Sequence, residues 1–226
     1  MDNLTIISII LTIVVYLGTR WLSERIVSPI TTPVLTATIV LIIIFQTFDI
    51  TVEQYAEAKV WMTFLLGPAT VALAVPMYHN RSVIMDRLFP ALFGIIIGSI
   101  STIISAVWIS KLFRFPDVVQ ATSAIKAVTT PVAIEVVLII GGDPALASAF
   151  VIIAGIIGAV IAPPLLNAFK LKDPFARGLG IGVIAHGVGT SEAVKEGPLQ
   201  GAVSSMAMGF AAIFTSIILP WLYPFL

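Results

Sequence analysis

Residues 123–140, SAIKAVTTPVAIEVVLII, form an apolar segment that nevertheless contains a lysine, a proline and a glutamate. Proline removes a backbone hydrogen-bond donor and clashes with the preceding helical turn, so Pro131 predicts a break in a helix at this point. A charge near the middle of a bilayer costs between about 2.5 and more than 10 kcal/mol. We therefore expect a broken membrane helix in which Glu135 faces the interior of a helix bundle or a wet cavity.

The other polar side chains of this segment lie close to the predicted break. Thr129 and Thr130 precede Pro131, where hydroxyls and freed amides at a helix N-terminus are suited to bind an anion. Lys126 and Glu135 are about 13.5 Å apart along a continuous helix and lie on opposite faces, so we do not expect them to pair. A structural interpretation also stays open, in which Lys126 snorkels to the interface and Glu135 bonds a neighbouring helix.

The rest of the chain has the same apolar character. Of its 226 residues, 58% are hydrophobic and 11% are charged, against roughly 25% charged residues in a typical soluble domain, and the mean hydropathy is +1.08. These values predict an all-α polytopic membrane protein, a single membrane domain over residues 1–226 with about six to eight helical segments. The zero net charge argues against nucleic-acid binding. The absence of cysteine excludes a cysteine-ligated metal site, and two histidines argue against a His-rich one, whereas carboxylate ligands stay open. No cofactor or metal is expected.

Eight apolar segments set an upper limit on the number of spans. They cover residues 4–22, 33–48, 61–78, 88–112, 118–140, 145–169, 179–194 and 199–226. In the third segment Gly67 and Pro68 predict a break, after which the helix restarts with Thr70 near a bare N-terminus. We expect residues 61–78 to be re-entrant, because seven of the twelve basic residues, in the loops after the first, fourth and sixth segments, can then all face the cytoplasm.

A second unusual stretch, residues 177–197, reads RGLGIGVIAHGVGTSEAVKEG and has five glycines in twelve residues around a histidine. So much glycine disfavours an uninterrupted helix and favours close approach of the backbone to a ligand. We expect substrate contacts from His186, Gly187, Gly189 and Thr190, and proton coupling or gating from Glu135, His186 and Glu192. The alternative for His186 is a hydrogen bond to a neighbouring helix.

Two patterns concern the architecture. The stretch ITTPVLTATIVLIII from Ile30 resembles VTTPVAIEVVLIIGG from Val128, and duplicated, often inverted halves are common in secondary transporters. The repeat halves would be residues 1–115 and 116–226, although Thr-Thr-Pro is also ordinary helix-start chemistry. Small residues at helical spacing, such as Gly94 with Gly98 and Gly155 with Gly158, predict close helix packing.

Four motifs carry a resemblance to a known family. LGPATVALAVPMY at 66–78, KAVTTPVAIEV at 126–136, GIIGAVIAPPL at 155–165 and RGLGIGVIAHGVGTSEA at 177–193 resemble, in this order and across nearly the full length, the LrgB/CidB family. The resemblance implies an antiholin-like protein of the bacterial cytoplasmic membrane that modulates murein hydrolase activity and autolysis with a small LrgA/CidA-type membrane partner. Other members of the family imply transport of small carboxylates instead. The plastid relative is a glycolate/glycerate translocator, and bacterial pairs are tied to pyruvate uptake. The fold implied is that of inverted repeats of the cation/proton antiporter and anion transporter type.

Two hypotheses of function follow. In the first, the protein is a secondary transporter or facilitator of a small monocarboxylate, because broken helices with polar residues suit anion transport. Its substrate-binding residues would be Gly67, Pro68, Thr70, Lys126, Thr129, Thr130, Pro131, His186, Gly187, Gly189 and Thr190. In the second, it is a homo-oligomeric antiholin-like protein that restrains a holin-like pore through its small-residue faces. An enzyme is not expected, because the chain has neither a His-Glu-x-x-His pair nor a Gly-x-Ser-x-Gly elbow.

Overall fold

The computed structural model describes residues 3–26, 28 and 31–226, apart from the side chains of residues 3 and 66. This part of the chain is helical with short connections, which confirms the all-α class. Five of its helices are long and apolar enough to cross a membrane, so a polytopic membrane protein is also confirmed. The chain divides into two compact units, Met1–Leu73 and Ala74–Leu226.

The first unit contains three helices: α1 (Asn3–Arg25), α2 (Pro33–Thr47) and α3 (Val52–Ala72). Helix α3 begins with a capping box, in which the Thr51 and Gln54 side chains each accept a hydrogen bond from the other residue's backbone N–H. The Thr12 and Tyr55 hydroxyls, 2.8 Å apart, join α1 to α3.

The predicted break at Gly67 and Pro68 is wrong. Helix α3 continues through both residues to Ala72, and a turn follows at Leu73. A single proline removes one helical hydrogen bond, and membrane helices tolerate this loss because neighbouring groups and local adjustments compensate for it. The helix therefore has no bare N-terminus here, and its exposed residues include Gly67, Pro68 and Thr70. Without a break, there is no longer a reason to expect that residues 61–78 are re-entrant.

The second unit contains eight α-helices in the described part of the chain. They are α4 (Ala74–His79), α5 (Arg81–Asp86), α6 (Leu88–Leu112), α7 (Asp117–Ala124), α8 (Thr130–Ile139), α9 (Pro144–Ala168), α10 (Pro174–Glu196) and α11 (Pro198–Leu222), followed by a 3₁₀ turn over Tyr223–Phe225. Helices α6, α9 and α11 have 25 residues each, about 37 Å at 1.5 Å per residue, which is enough to cross a hydrocarbon layer of roughly 30 Å.

Contacts at the helix ends fix the direction of the three long helices. The Arg87 guanidinium donates to the Asp173 carboxylate at 2.8 Å, which places the start of α6 beside the start of α10. The Lys111 ammonium donates to the carbonyl oxygen of Leu226, which places the end of α6 beside the end of the chain. Helices α6 and α11 therefore run in the same direction and α9 in the opposite one. We call the end where α6 and α11 start the first face and the other end the second face.

The predicted break at Pro131 is confirmed, and the chain also reverses there. Residues 125–129 separate α7 from α8, with Thr129 in an extended conformation as the N-cap residue of α8. The Asp143 N–H donates to the Thr122 hydroxyl at 3.0 Å, although a continuous helix would hold these residues about 30 Å apart. Helices α7 and α8 thus form a hairpin, the first hairpin, whose open end lies at the second face.

The predicted break near residue 187 is confirmed as well, at His186, whose φ of 39° and ψ of −134° interrupt α10. The Arg177 guanidinium donates to the Glu196 carboxylate at 2.6 and 2.7 Å, whereas a straight helix would separate them by about 28 Å. A Cβ on Gly189 would likewise meet Ile181, eight residues earlier. Helix α10 is therefore a second hairpin of two helical arms, residues 174–185 and 187–196, with its open end at the first face.

The two hairpins enter the second unit from opposite faces, because α9 crosses once between them. His186 is twelve residues from the start of α10, about 18 Å deep, near the middle of a layer roughly 30 Å thick. The basic residues after α6 and those after α9 consequently lie at opposite faces. The expectation that all seven basic loop residues share one side of the membrane is thus wrong, because residues 118–140 turn back instead of crossing.

Glycine provides the close contacts around the second hairpin. Each of five glycines touches a neighbouring residue so closely that an added Cβ would collide with it. The pairs are Gly94 with Leu179, Gly98 with Val183, Gly158 with Ala185, Gly178 with Gln200 and Gly182 with Ser204. These small-residue faces are therefore buried inside the unit, which confirms their predicted packing role. For the same reason, the hypothesis that they form the surface for a homo-oligomer is wrong for these glycines.

Candidate functional site

A cavity of about 520 Å³, open on one side, lies between α6, the turn of the first hairpin and α9. Its walls are mostly aliphatic, from Ile153, Ile157 and Ile161 on α9 and from Ile184 just before the tip of the second hairpin, and these four side chains are about half exposed. The hydroxyls of Thr102, Ser105, Ser110 and Ser123 also line it. The cavity has the size and the mainly apolar lining of a small-molecule site.

Lys126 supplies the charge of this cavity. Among the described residues no other charged side chain lines it. The Lys126 ammonium donates one hydrogen bond, of 3.0 Å, to the carbonyl oxygen of Thr102 in α6. An ammonium group has three donors, so two remain for another acceptor. The cavity can thus receive a small anion at the Lys126 ammonium, whose hydrogen-bond partner in the described part of the chain is a neutral carbonyl group.

Thr129 and Thr130 follow Lys126 in the turn but do not line the cavity. Both are partly exposed at the start of α8, and Pro131 occupies the first turn of that helix. In the described part of the chain neither hydroxyl has a hydrogen-bond partner, and the Thr129 side chain does not cap α8. The predicted helix-start geometry is therefore present close to Lys126, two to three residues beyond Ala127, the last residue of the turn that lines the cavity.

Glu135 does not face the interior of the unit, contrary to expectation. It is exposed on α8, whereas Ala133, Val136 and Val137 face the core that α8 forms with α9 and α11. An α-helix turns by about 100° per residue, so these buried neighbours place Glu135 on the opposite side. The expected lack of a Lys126–Glu135 pair is consistent with the hydrogen bond of Lys126 to Thr102.

His186 is buried at the tip of the second hairpin rather than open to a ligand. Its Nε2 lies 3.0 Å from the carbonyl oxygen of Val151 in α9, and because a carbonyl only accepts, Nε2 carries the proton. The ring packs on Gly155, where any Cβ would collide with it. Of the two interpretations of His186, the structure thus supports the hydrogen bond to a neighbouring helix.

The remaining polar residues of the second hairpin are also occupied within the chain. The Thr190 hydroxyl donates to the His186 carbonyl oxygen at 2.7 Å and lies 2.8 Å from the Ser204 hydroxyl. Gly189 packs against Ala185, and Glu192 forms an ion pair with Lys195 at 2.8 Å. Gly187 is exposed beside the sulfur of Met208. The expected cluster of ligand-binding groups around His186 is therefore a structural network.

Two features of the second unit were not predicted from the sequence. The hydroxyls of Thr102 and Ser105 line the cavity from α6, and their spacing of three residues in an apolar helix was a usable signal. Arg177 and Glu196 close the base of the second hairpin. Two opposite charges at the two ends of a glycine-rich stretch indicate such a closure, but only once the stretch is known to fold back.

Comparisons with known proteins agree with the membrane architecture and the motifs. A model of the LrgB-like family matches residues 12–225. The chain belongs to the LrgB-like family. Two Bacillus subtilis (strain 168) proteins named as uncharacterized are similar over nearly full length: YxaC is 33% identical, with 97% of each chain covered, and YwbG is 34% identical, with 98% of each chain covered.

A third relative has a functional name. The antiholin-like protein LrgB of Bacillus cereus (strain B4264) is 28% identical to this LrgB-like protein, over 86% of this chain and 85% of its own. No solved structure matches the chain. The predicted family is thus confirmed, together with the multi-pass membrane character that the long apolar helices indicate.

Proposed function

We propose that this LrgB-like protein is an antiholin-like protein of the bacterial cytoplasmic membrane that modulates murein hydrolase export and autolysis. The observation that supports this proposal is the similarity to a relative named as an antiholin-like protein, which extends over 86% of the chain. The protein would act with a small LrgA/CidA-type membrane partner, and it would have no enzymatic activity of its own.

The antiholin-like role is tested in cells. We expect deletion of the gene to raise both extracellular murein hydrolase activity on zymograms and the rate of lysis, and the restored gene to reverse both changes. Affinity purification of the tagged protein from detergent-solubilised membranes should also recover the small partner. Unchanged zymograms and lysis rates after deletion, with the partner expressed normally, would contradict this role.

A second function, binding and passage of a small monocarboxylate of the pyruvate, glycolate and glycerate class, is favoured by one specific observation. Among the described residues Lys126 is the charged side chain of the open-sided cavity, and the cavity lies next to two hairpins that open to opposite faces. Broken helices that meet near mid-membrane are a common arrangement at the binding sites of secondary transporters. Lys126 bonds Thr102 in the middle part of α6, so a carboxylate at Lys126 would lie about 21 Å from the start of that helix and about 15 Å from its end.

The proposed carboxylate contacts follow from the donors near Lys126. Two free ammonium hydrogens would bind the carboxylate, and charge-assisted hydrogen bonds of this kind are roughly twice as strong as neutral ones. Ser105 and Ser123 line the same cavity. Their hydroxyls already donate to the carbonyl oxygens of Thr102 and Gln120, so towards a substrate they would act as acceptors, for the hydroxyl next to the carboxylate of glycolate or glycerate. We extend the site to Thr129 and Thr130, whose hydroxyls and adjoining helix start lie in the same turn. Glu135 remains a candidate for proton coupling on the exposed side of α8.

Flux in proteoliposomes tests the second function. We expect Lys126→Met to reduce the uptake of labelled pyruvate or glycolate at least tenfold, and Lys126→Arg to restore part of it because the charge returns. Lys59→Met, which removes an exposed lysine from the first unit, is the matched control and should leave uptake unchanged. Full uptake by the Lys126→Met protein would eliminate the site.

The same variant separates the two functions. If Lys126→Met abolishes carboxylate flux but still complements the deletion in the lysis assay, the antiholin-like role does not depend on transport. If both activities are lost while the folded yield stays normal, carboxylate flux is the activity by which the protein influences autolysis.

A further inference from the structure

We propose that the first face of the second unit binds the headgroup of an anionic phospholipid. The site is a polar cavity of about 610 Å³ at the open end of the second hairpin. Its lining comes from the end of α9, the connection between α9 and α10, both ends of α10 and the start of α11. This cavity is separate from the Lys126 cavity, with which it has no lining residue in common.

The charge of this cavity is positive. Arg177 and Glu196 neutralise each other through two hydrogen bonds, and Arg177 also donates to the side-chain oxygen of Asn167 and the carbonyl oxygen of Leu171 at 2.8 and 2.9 Å. Lys170 and Lys172 line the same cavity, are exposed, and have no ion-pair or hydrogen-bond partner for their side chains among the described residues. Two uncompensated ammonium groups therefore flank a fixed, already neutralised guanidinium.

The position of the two lysines favours a lipid over a soluble anion. Helix α9 is a candidate membrane span that ends at Ala168, so Lys170 and Lys172 lie at the membrane interface. They alternate with Phe169, which is 77% exposed, and Leu171, which is 37% exposed. Apolar side chains at this level enter the acyl-chain region while lysines remain with the headgroups. A free inorganic ion would have no contact with Phe169 or Leu171.

The chemistry of the cavity matches a phosphodiester with a polar substituent. Lysine ammonium groups bind phosphate oxygens, and basic pockets between membrane helices bind anionic lipid headgroups. The Gln200 side chain, which also lines the cavity, offers an amide to headgroup hydroxyls. A bound headgroup would lie directly beside the Arg177–Glu196 pair, so that lipid binding would reinforce the base of the second hairpin.

Native mass spectrometry of the full-length protein in a neutral detergent, titrated with phosphatidylglycerol, tests this proposal. We expect saturable binding of phosphatidylglycerol, and the double variant Lys170→Gln/Lys172→Gln should weaken it about 25-fold, on the basis of about fivefold for each lysine. The control double variant Lys59→Gln/Arg114→Gln removes the same charge from two exposed residues elsewhere and should leave the affinity unchanged. Thermal unfolding without lipid should be the same for all three proteins.

Each arm of this experiment has a decisive outcome. Weaker phosphatidylglycerol binding in the Lys170/Lys172 variant alone supports the site, and so does weak binding of zwitterionic phosphatidylcholine. An equal loss of affinity in the control variant overturns the proposal, because the attraction would then reflect overall charge. Inorganic phosphate that displaces phosphatidylglycerol at equal concentration also overturns it, because the cavity would then select the ion and not the lipid.

Discussion

The two hairpins of the second unit reach similar depths from opposite faces, yet they are held in different ways. At the base of the first hairpin the Asp143 N–H donates a hydrogen bond to the Thr122 hydroxyl, and the turn presents Lys126 to a cavity. The base of the second is closed by the Arg177–Glu196 ion pair, and its tip is buried by His186 and Gly155. The turn of the first hairpin leaves Lys126, Thr129 and Thr130 with donors for a ligand, whereas the polar side chains at the tip of the second are hydrogen-bonded within the chain.

This difference separates ligand chemistry from structural support. A group can bind a ligand only if its donors are not already used, which holds for Lys126 and not for Thr190. Conversely, a buried hairpin with a strained tip stays folded only if its surroundings hold it, which the glycine contacts and the ion pair do. We therefore expect substitutions in the second hairpin to affect mainly stability and those at Lys126 to affect mainly function.

Among the substitutions that test this difference between the hairpins, Gly182→Ala should cause the largest loss of stability. A Cβ on Gly182 would collide with the backbone carbonyl oxygen of Ser204 in α11, which cannot move without displacing that helix. We expect the variant to lose about 3 kcal/mol of unfolding free energy or more, and most of its folded yield. The measurement is folded yield in detergent together with an unfolding titration in sodium dodecyl sulfate.

Gly180→Ala is the matched control, since nothing lies within 4 Å of a Cβ built on Gly180. This variant should be as stable as the unmodified protein or up to about 1 kcal/mol more stable, because alanine favours helix. If the two alanine variants are equally stable, the tight contact of the second hairpin with α11 does not exist.

The breaks of both hairpins could be predicted from the sequence, but their reversals could not. Pro131 and the glycines around His186 act locally, through a missing donor and through backbone freedom, so their effect is visible in the residues themselves. Reversal depends on partners far along the chain, such as Glu196 for Arg177. The break predicted at Pro68 is absent because a membrane helix tolerates the loss of the one hydrogen bond that a single proline removes.

The same distinction applies to the candidate site. Lys126 could be identified because a lysine in an apolar segment is unusual in itself. The assignment of His186 and Thr190 failed because Val151 and Ser204 satisfy their polar atoms from other helices. Glu135 was misplaced because its rotation about α8 depends on which side of that helix meets the core.

The second prediction concerns the base of the second hairpin. Arg177→Met removes one partner of a pair whose side chains are 11% and 19% exposed, and it leaves the Glu196 carboxylate without its cation. We expect a loss of about 2 kcal/mol, below the 3–5 kcal/mol of a fully buried pair. The unfolding titration should show that Arg177→Met/Glu196→Gln is more stable than Arg177→Met alone. A double variant that is less stable than the single one would indicate that the two side chains act independently.

The third prediction tests strain at the tip. His186 has a φ of 39°, in the region that favours glycine. His186→Ala and His186→Gly both lose the bond to Val151, but only glycine relieves the backbone. We expect the glycine variant to be about 1–2 kcal/mol more stable than the alanine variant in the unfolding titration, the opposite of the usual order inside a helix. The usual order would mean that the tip is not strained.

The smallest loss of stability should follow from a substitution at the base of the first hairpin. Thr122→Val keeps the side-chain shape but removes the oxygen that accepts the Asp143 N–H, so the variant should lose about 1 kcal/mol, as expected for one hydrogen bond whose donor becomes unsatisfied. Unfolding titration measures the loss, and carboxylate uptake by the folded fraction should stay normal because Thr122 does not line the Lys126 cavity. A loss larger than that of Arg177→Met would reverse the comparison, since the first hairpin would then be the more firmly closed of the two. Loss of uptake without loss of stability would instead place Thr122 in the function of the turn, because opening at its base would change the position of Lys126.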